Sequence, residues 1–326
     1  MRLMEEGRVR AAGEGMGLLL LSLLMSRLGI AVMISVAPLL FFRIRHSRKS
    51  TYLLLVIAFI VNLLVSGFLD GFFSAGKEGL ALLIINMYIP LSLSAAGIMW
   101  LGTEGRKILG RLFLTLVPAL LILGASALFF LSDRALLENI YTGYENAFTA
   151  VAGPVLETLL PGVDMALLSF SALMVFAAFL FPVLLCGICA SCFIYETAKH
   201  SRESGWEEKV IALEYSPDAV WGFIISWALV LLFRFVSAPL LLWIAVWNLA
   251  LVWTVIYAVE GFSVLFARLR RHSPMLRSMT LLFLVIVLGT LVPGINFVVL
   301  IGLPLLGVLE SFFDLKKRGG ENEDHS

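Results

Sequence analysis

The sequence predicts an all-α integral membrane protein, a polytopic transmembrane helical bundle of about nine membrane segments. Apolar residues make up 60% of the 326 residues and charged residues only 14%, against roughly 25% charged residues in soluble globular domains. The apolar residues form runs near the length of about 20 that a helix needs to cross a bilayer. No strand-like alternation of apolar and polar residues occurs, so helices must satisfy the backbone hydrogen bonds in lipid.

Charged and turn residues divide the apolar sequence into nine segments. These are 16–42, 51–73, 79–101, 108–131, 165–194, 219–236, 239–266, 278–292 and 295–312. The first contains Arg27, Gly29 and Pro38, so it is either one long tilted helix or two short ones, and the side of the N-terminus stays open. A cleaved signal peptide is disfavoured because this run is longer than a signal core. The last pair, divided at Pro293-Gly294, is short for two crossings. Eight to ten segments are therefore compatible with the sequence.

Basic residues indicate the orientation, because short cytoplasmic loops are enriched in Lys and Arg. The loops after the first, third, fifth, seventh and ninth segments are basic, whereas the loops between them hold only Lys77 and Arg134. The basic residues are Arg43, Arg45, Arg48, Lys49, Arg106, Lys107, Arg111, Lys199, Arg202, Lys209, Arg268, Arg270, Arg271, Arg277, Lys316, Lys317 and Arg318. We therefore expect a multi-pass protein of the cytoplasmic (inner) membrane with a cytoplasmic C-terminus.

The domain organisation predicted is one integral membrane domain over residues 1–318, followed by a disordered polar tail over 319–326. The outward loop 133–164 carries apolar residues at helical spacing, and Gly153-Pro154 and Pro161-Gly162 are expected to end its helix. That pattern is typical of a helix lying at the membrane interface. The cytoplasmic loop 196–218 is too short for a soluble domain.

Catalytic and metal-binding motifs are missing from the sequence. The four histidines lie in basic loops or the tail, and neither a phosphate-binding loop nor a hydrolase nucleophile motif occurs. Cys186, Cys189 and Cys192 have part of an iron–sulfur spacing, but the fourth cysteine is absent. Small residues that pack one helix against another explain this stretch better. We expect no cofactor, no metal and no enzymatic activity. Gly67-x-x-x-Gly71 likewise predicts close helix packing.

Polar residues within the apolar segments are the candidate ligand-binding residues, because each costs several kcal/mol in lipid unless it has a partner or water. Depth along the segments places Asn62, Asn86 and Asn248 near the middle of the bilayer and Asp70 and Arg234 in its outer part. We expect Asp70 and Arg234 to form an ion pair above the three asparagines, at the mouth of a solute site. The alternative is that Arg234 snorkels outward and Asp70 ends a helix. At the inner face, Glu260, Glu310 and Asp314 precede basic residues and could form a charge network or anchor the helices.

Three sequence stretches resemble the YybS-like bacterial membrane proteins, a family known only as a domain of unknown function. They are Tyr215-Ser-Pro217-Asp218-Ala-Val-Trp221, Asn248 through Tyr257 to Glu260-Gly261-Phe262-Ser263-Val264, and Gly307-Val-Leu-Glu310-Ser-Phe-Phe313-Asp314-Leu-Lys316. That family is distantly similar to the substrate-binding S components of energy-coupling factor transporters, chiefly in the N-terminal half, where Pro38 precedes a basic loop. This chain has about three more segments and no vitamin-site motif, so the resemblance implies no ligand residue.

These observations favour a membrane protein that binds or transports a small solute without catalysis. The alternative is a noncatalytic scaffold or assembly factor whose basic inner loops recruit a cytoplasmic or membrane partner protein or anionic lipid. An intramembrane enzyme is disfavoured because no nucleophile and base are paired. The lipid bilayer is the expected environment. With 24 Lys and Arg against 23 Asp and Glu, the chain has no charge excess that would bind nucleic acid.

Overall fold

The structure, a computed structural model, describes residues 2–69, 71–72, 76–159, 162–200, 206–211, 213–236, 238–272, 279–292, 294–313 and 315–316. Within these ranges the chain is helical and contains no strand, as the sequence predicts. The helices are α1 (Arg2–Ser26), α2 (Ala37–Arg45), α3 (Arg48–Leu69), α4 (Gly76–Gly102), α5 (Ile108–Leu131), α6 (Arg134–Leu159), α7 (Met165–His200), α8 (Trp206–Ile211), α9 (Ala219–Phe233), α10 (Leu240–His272), α11 (Met279–Leu291) and α12 (Ile295–Phe313).

The chain divides into two compact units, Met1–Tyr195 and Glu196–Ser326. The boundary falls inside α7, so this helix belongs mainly to the first unit. The expectation of one integral membrane domain over 1–318 stays a prediction, and the tail 319–326 lies outside the described residues.

Six of the described helices are long and apolar enough to cross a membrane: α3, α4, α5, α7, α10 and α12. The predicted count of nine is therefore not confirmed. With 15 residues, α9 is about 22 Å long, and α11 with 13 residues is about 20 Å long. Both are shorter than the roughly 30 Å of a hydrocarbon core.

The first predicted segment is broken in the structure. Helix α1 ends at Ser26, a 3-10 helix follows over Gly29–Ile34, and α2 begins at Ala37. The structure therefore has no single helix over 16–42: α1, of 25 residues, and α2, of 9 residues, lie on either side of the break. Gly29 has a φ of 53°, a left-handed conformation that glycine adopts without steric cost. Pro38 lies in the first turn of α2, where the missing N–H of proline costs no helical hydrogen bond.

Close helix contacts organise the core of the first unit. The Tyr88 hydroxyl on α4 donates a hydrogen bond to the Ala119 carbonyl on α5 at 3.1 Å. At the turn between these helices, the Arg111 guanidinium lies 3.6 Å from the centre of the Trp100 ring and donates to the Trp100 carbonyl. The broken segment contacts α7 through Ser191, whose hydroxyl donates to the Met33 carbonyl at 3.2 Å.

The helix predicted within residues 133–164 exists as α6; its outward position stays a prediction. Its start is attached to α4 by two hydrogen bonds, from Lys77 Nζ to Asp133 Oδ2 at 3.0 Å and from Asn139 Nδ2 to Glu78 Oε1 at 3.1 Å. The prediction that Gly153-Pro154 ends a helix is wrong, because α6 continues through Pro154 to Leu159. Hydrogen bonds elsewhere in the helix hold it together across the one that proline cannot donate. Pro161 lies outside the described residues.

Helix α10 is the central element of the second unit, and α12 packs along it more extensively than any other helix. The backbones meet where Gly261 of α10 faces Gly307 of α12: a Cβ on either residue would overlap the backbone of the other helix. Helix α9 also contacts α10, where Gly222 leaves room for the Trp253 ring. Such close approach of small residues is the usual basis of helix association in lipid, where no hydrophobic driving force operates between helices.

Candidate functional site

The predicted Asp70–Arg234 pair stays a prediction. Asp70 lies outside the described residues. Arg234 follows the last residue of α9 and is exposed there. This position at a helix end agrees with the snorkelling alternative as well as with a role at the mouth of a site.

The three asparagines occupy different environments. Asn62 on α3 is 4% exposed and Asn248 on α10 is 6% exposed, whereas Asn86 on α4 is exposed. The side-chain amides of the two buried residues each donate to the carbonyl one turn earlier in their own helix, at 3.0 Å for Asn62 and 2.9 Å for Asn248. Among the described residues, Asn62 has no hydrogen bond to Asn86.

Asn62 instead belongs to a polar contact between α1 and α3. The Ser26 hydroxyl, at the end of α1, donates to Asn62 Oδ1 at 2.9 Å. One turn further along α3, the Ser66 hydroxyl accepts a 2.7 Å hydrogen bond from Arg27 Nη2. In the sequence, Arg27 was noted only as a charged residue that interrupts the first apolar segment. The available signal was the spacing of Asn62 and Ser66, which places both side chains on one helix face.

A second polar cluster lies in the second unit, where α10 and α12 approach each other and the chain before α9 covers them. We call it the carboxylate cluster and define it by Tyr215, Tyr257, Glu260, Glu310 and Lys316. Glu260 is 1% exposed and Glu310 is 4% exposed, and each lies within a candidate membrane span. From the sequence, both carboxylates were candidates either for an inner-face charge network or for anchoring the helices. Their burial was not expected, because a carboxylate near a basic loop ordinarily faces water.

Hydrogen bonds to the backbone hold the carboxylate cluster in place. Glu260 Oε1 accepts the Tyr215 backbone N–H at 3.1 Å, and the Tyr215 hydroxyl donates to the Ile256 carbonyl at 3.3 Å. Glu310 Oε2 accepts the Lys316 backbone N–H at 3.2 Å, so the carboxylate satisfies a donor just beyond the end of α12. The edge of the Tyr215 ring meets the Tyr257 ring with centroids 5.9 Å apart.

Lys316 supplies the positive charge of the cluster. Its ammonium group donates a hydrogen bond to the Leu213 carbonyl. Burial lowers the pKa of the Lys316 ammonium, while the negative charges of Glu310, Glu260 and Glu214 oppose this effect and favour its charged form. The cluster therefore combines two buried carboxylates and one partly buried ammonium, with Glu214 exposed beside them.

One buried acceptor at this place has no hydrogen-bond partner among the described residues: Glu260 Oε2. Tyr257 precedes Glu260 by one turn of α10, and Ser311 of α12 lies beside Tyr257, so that these two hydroxyls interact with each other. Buried polar atoms are satisfied in most proteins, so the unpartnered oxygen marks Glu260 as the candidate functional group of the cluster.

Other chemistry-bearing residues within the described ranges form no comparable arrangement. Cys186, Cys189 and Cys192 on α7 are not joined by a disulfide, and they range from exposed to buried. Within the described part of the chain, no three His, Cys, Asp or Glu side chains are grouped closely enough to hold a metal ion. The chemical capacity of the carboxylate cluster lies in its two buried carboxylates, because a carboxylate oxygen accepts a hydrogen bond or a proton.

Comparison with known proteins adds no relative: no family model matches the chain, and neither the curated proteins nor the solved structures contain a match. The helical, apolar architecture with six candidate spans identifies a multi-pass membrane protein. The buried polar residues are therefore the features that indicate its specific function.

Proposed function

We propose that this membrane protein binds a small solute and moves it across the bilayer without catalysing a reaction. The observation that carries the proposal is the burial of Glu260 and Glu310 inside two candidate spans. Ionisable residues within membrane helices are rare and costly, and they commonly belong to substrate or ion pathways. A purely structural bundle would be expected to replace them with apolar side chains of similar size, which often cost no stability.

The polar contact of the first unit supports the same proposal. Asn62 and Ser66 lie on one face of α3, where Ser26 and Arg27 donate to them. Within a candidate span, hydrogen-bonding groups of this kind are suited to exchange partners with a polar solute. The resemblance to the YybS-like proteins and, more distantly, to S components is compatible with solute binding and remains part of the proposal.

The experiment that tests the proposal is a search for the solute in two steps. Native mass spectrometry of the detergent-purified protein reports small molecules and partner subunits that copurify with it. Proteoliposomes adsorbed on a solid-supported membrane are then exposed to amino acids, organic acids, nucleosides, sugars and vitamins while the transient current is recorded. A solute-dependent current that is absent from empty liposomes is expected.

A matched variant makes the current specific to the protein. Asn62→Ala removes a buried polar group, whereas Asn86→Ala removes an exposed one from the neighbouring helix. The current should fall in the first variant and persist in the second. Stoichiometric copurification of a protein subunit, with no small molecule bound and no current for any compound class, would instead favour the scaffold alternative.

A further inference from the structure

Glu260 Oε2 is a buried acceptor that lacks a partner within the described ranges. An ionised carboxylate can only accept hydrogen bonds, whereas a protonated carboxyl also has an O–H to donate. The Tyr257 side chain, one turn earlier in α10, is close enough to Glu260 to interact electrostatically. Protonation of Glu260 Oε2 would remove a negative charge that is costly to bury without a partner at that oxygen.

The balance of charges around Glu260 also supports binding of a proton. The groups that act on it are the Tyr215 backbone N–H, the Lys316 ammonium, and the carboxylates of Glu310 and Glu214. The helices α9 and α11, which also pack in this unit, have no titratable side chain, and Glu208 of α8 is exposed. Asp314 lies outside the described residues. Within the described cluster, two buried carboxylates therefore face one ammonium, and a single proton would make the buried group electrically neutral.

An exposed carboxylate, Glu214, lies close enough to the cluster to act on its charges. Glu214 immediately precedes Tyr215, whose backbone N–H donates to Glu260, and the Glu214 charge acts on both Glu260 and Lys316. Its side chain is exposed whereas that of Glu260 is buried. An exposed carboxylate close to a buried one is a suitable arrangement for passing a proton between solvent and a buried site.

We propose that Glu260, together with Glu310, forms a proton-binding site that exchanges with solvent by way of Glu214, and that proton uptake there is coupled to the solute movement proposed above. The coupling rests on the proposed function, whereas the proton site itself does not. In the uptake step, a proton from solvent forms an O–H bond at Glu260 Oε2, and the carboxyl becomes neutral. Release reverses the step, so no other reactant is needed.

The proton site can be tested without a solute by infrared difference spectroscopy of the full-length protein in lipid. Lowering the pH should produce, reversibly, the C=O stretching band of a protonated carboxyl in a dry environment. Glu260→Gln should remove a component equivalent to one carboxyl per chain. Glutamine keeps the side-chain oxygen that accepts the Tyr215 N–H, so the variant is expected to fold. Glu208→Gln is the matched control, because this glutamate is exposed on α8 and should leave the band unchanged.

Each outcome bears on the proposal. A band that does not change with pH, or one that Glu260→Gln leaves intact in a monodisperse sample, would overturn the proton site. If Glu260→Gln does not fold, Tyr257→Phe serves instead: loss of the neighbouring hydroxyl dipole should shift the band, and an unshifted band would overturn the assignment of the proton to Glu260.

Coupling is tested separately, since Glu260→Gln should abolish stimulation of the solute current by a pH gradient. A pH-sensitive band without any solute current would remove the transport function and leave the proton site standing.

Discussion

At the scale of single residues, Gly261 and Gly307 are the positions at which the second unit tolerates a side chain least. A Cβ on Gly261 would overlap the backbone carbonyl of Leu303, and one on Gly307 would overlap the carbonyl of Tyr257. Backbone atoms cannot rotate away as a side chain can, so the two helices would have to separate. Their separation would also disturb Glu260, which adjoins Gly261 in α10.

We predict that Gly261→Ala destabilises the protein by about 3 kcal/mol or more, because overpacking against a backbone cannot be relieved by a change of rotamer. Thermal unfolding followed by tryptophan fluorescence in detergent measures the effect. Gly302→Ala is the control in α12, since nothing lies within 4 Å of a Cβ at that glycine. Equal stability of the two variants would contradict the packing of α10 against α12.

A second residue-scale prediction concerns the contact between α1 and α3. Replacing Asn62 with alanine removes one of two acceptors of the Ser26 hydroxyl, the other being the Leu23 carbonyl, and should cost about 1 kcal/mol. Combining Asn62→Ala with Ser26→Ala should cost less than the two single changes added together, because the second change removes a bond already lost. Asn86→Ala should have almost no effect, since this side chain is exposed. Strict additivity in the cycle would contradict the hydrogen bond.

At the scale of elements, the start of α6 depends on the charge of Asp133. The Lys77 ammonium, and after it the backbone N–H of Leu136, hold the pKa of the Asp133 carboxyl below its ordinary value. A carboxyl with a lowered folded-state pKa stabilises the fold above its unfolded-state pKa, and the contribution is lost as the pH falls through the folded-state value. The attachment of α6 should therefore weaken only at acid pH, below about 4.

Hydrogen–deuterium exchange of the first turn of α6, corrected for the intrinsic exchange rate, measures this weakening. Asp133→Asn keeps an oxygen that can accept the Leu136 N–H, so its first turn should be protected to a degree that does not vary with acid pH. Asp133→Ala should be unprotected throughout the same range, because the capping acceptor is gone. Identical pH profiles for the wild type and Asp133→Asn would show that this carboxylate does not control the element.

Element lengths were the part of the fold that hydropathy described least well. Segment 16–42 reads as one apolar run, yet the chain breaks between Ser26 and Ala37. Gly67 and Gly71 have the spacing of a packing motif, but α3 ends at Leu69 and Gly71 has a φ of 71°, so Gly71 lies outside the helix and the pair does not form a motif within α3. Gly261 and Gly307, at the close contact of α10 with α12, are far apart in sequence. No local sequence pattern predicts that they meet.

At the scale of the whole molecule, the positions of the basic loops require α9 and α11 to cross the membrane, although both helices are shorter than a hydrocarbon core. Residues 196–218 and 268–277 share one side of the membrane only if the chain crosses an even number of times between them. Helix α10 provides one crossing, so the short α9 must provide the other. Residues 268–277 and the basic residues after α12 also share one side, so α11 must cross together with α12. Local thinning of the bilayer and snorkelling of flanking residues can accommodate helices of this length.

We predict that both short helices cross, and that Arg271 therefore faces the cytoplasm. In a background with Cys186, Cys189 and Cys192 replaced by alanine, Arg271→Cys should react with an impermeant maleimide only after cell lysis. Ser132→Cys, between α5 and α6, is the control on the opposite side and should react in intact cells. Labelling at position 271 without lysis would show that α9 does not cross and would overturn the assigned orientation.

The sequence by itself determined that the protein is helical and lies in a membrane, because apolar content and run length depend on composition and local order alone. It also located the spans that became α3, α4, α5, α7, α10 and α12, and it identified Asn62, Asn248, Glu260 and Glu310 as polar residues of interest. The solute site built on Asp70 and Arg234 stays a prediction. Only the tertiary structure decided which polar residues are buried and what they contact, since Glu260 and Glu310 become neighbours through the packing of α10 on α12. Two glycines 46 positions apart permit that contact, and such pairings depend on three-dimensional packing that no single stretch of sequence contains.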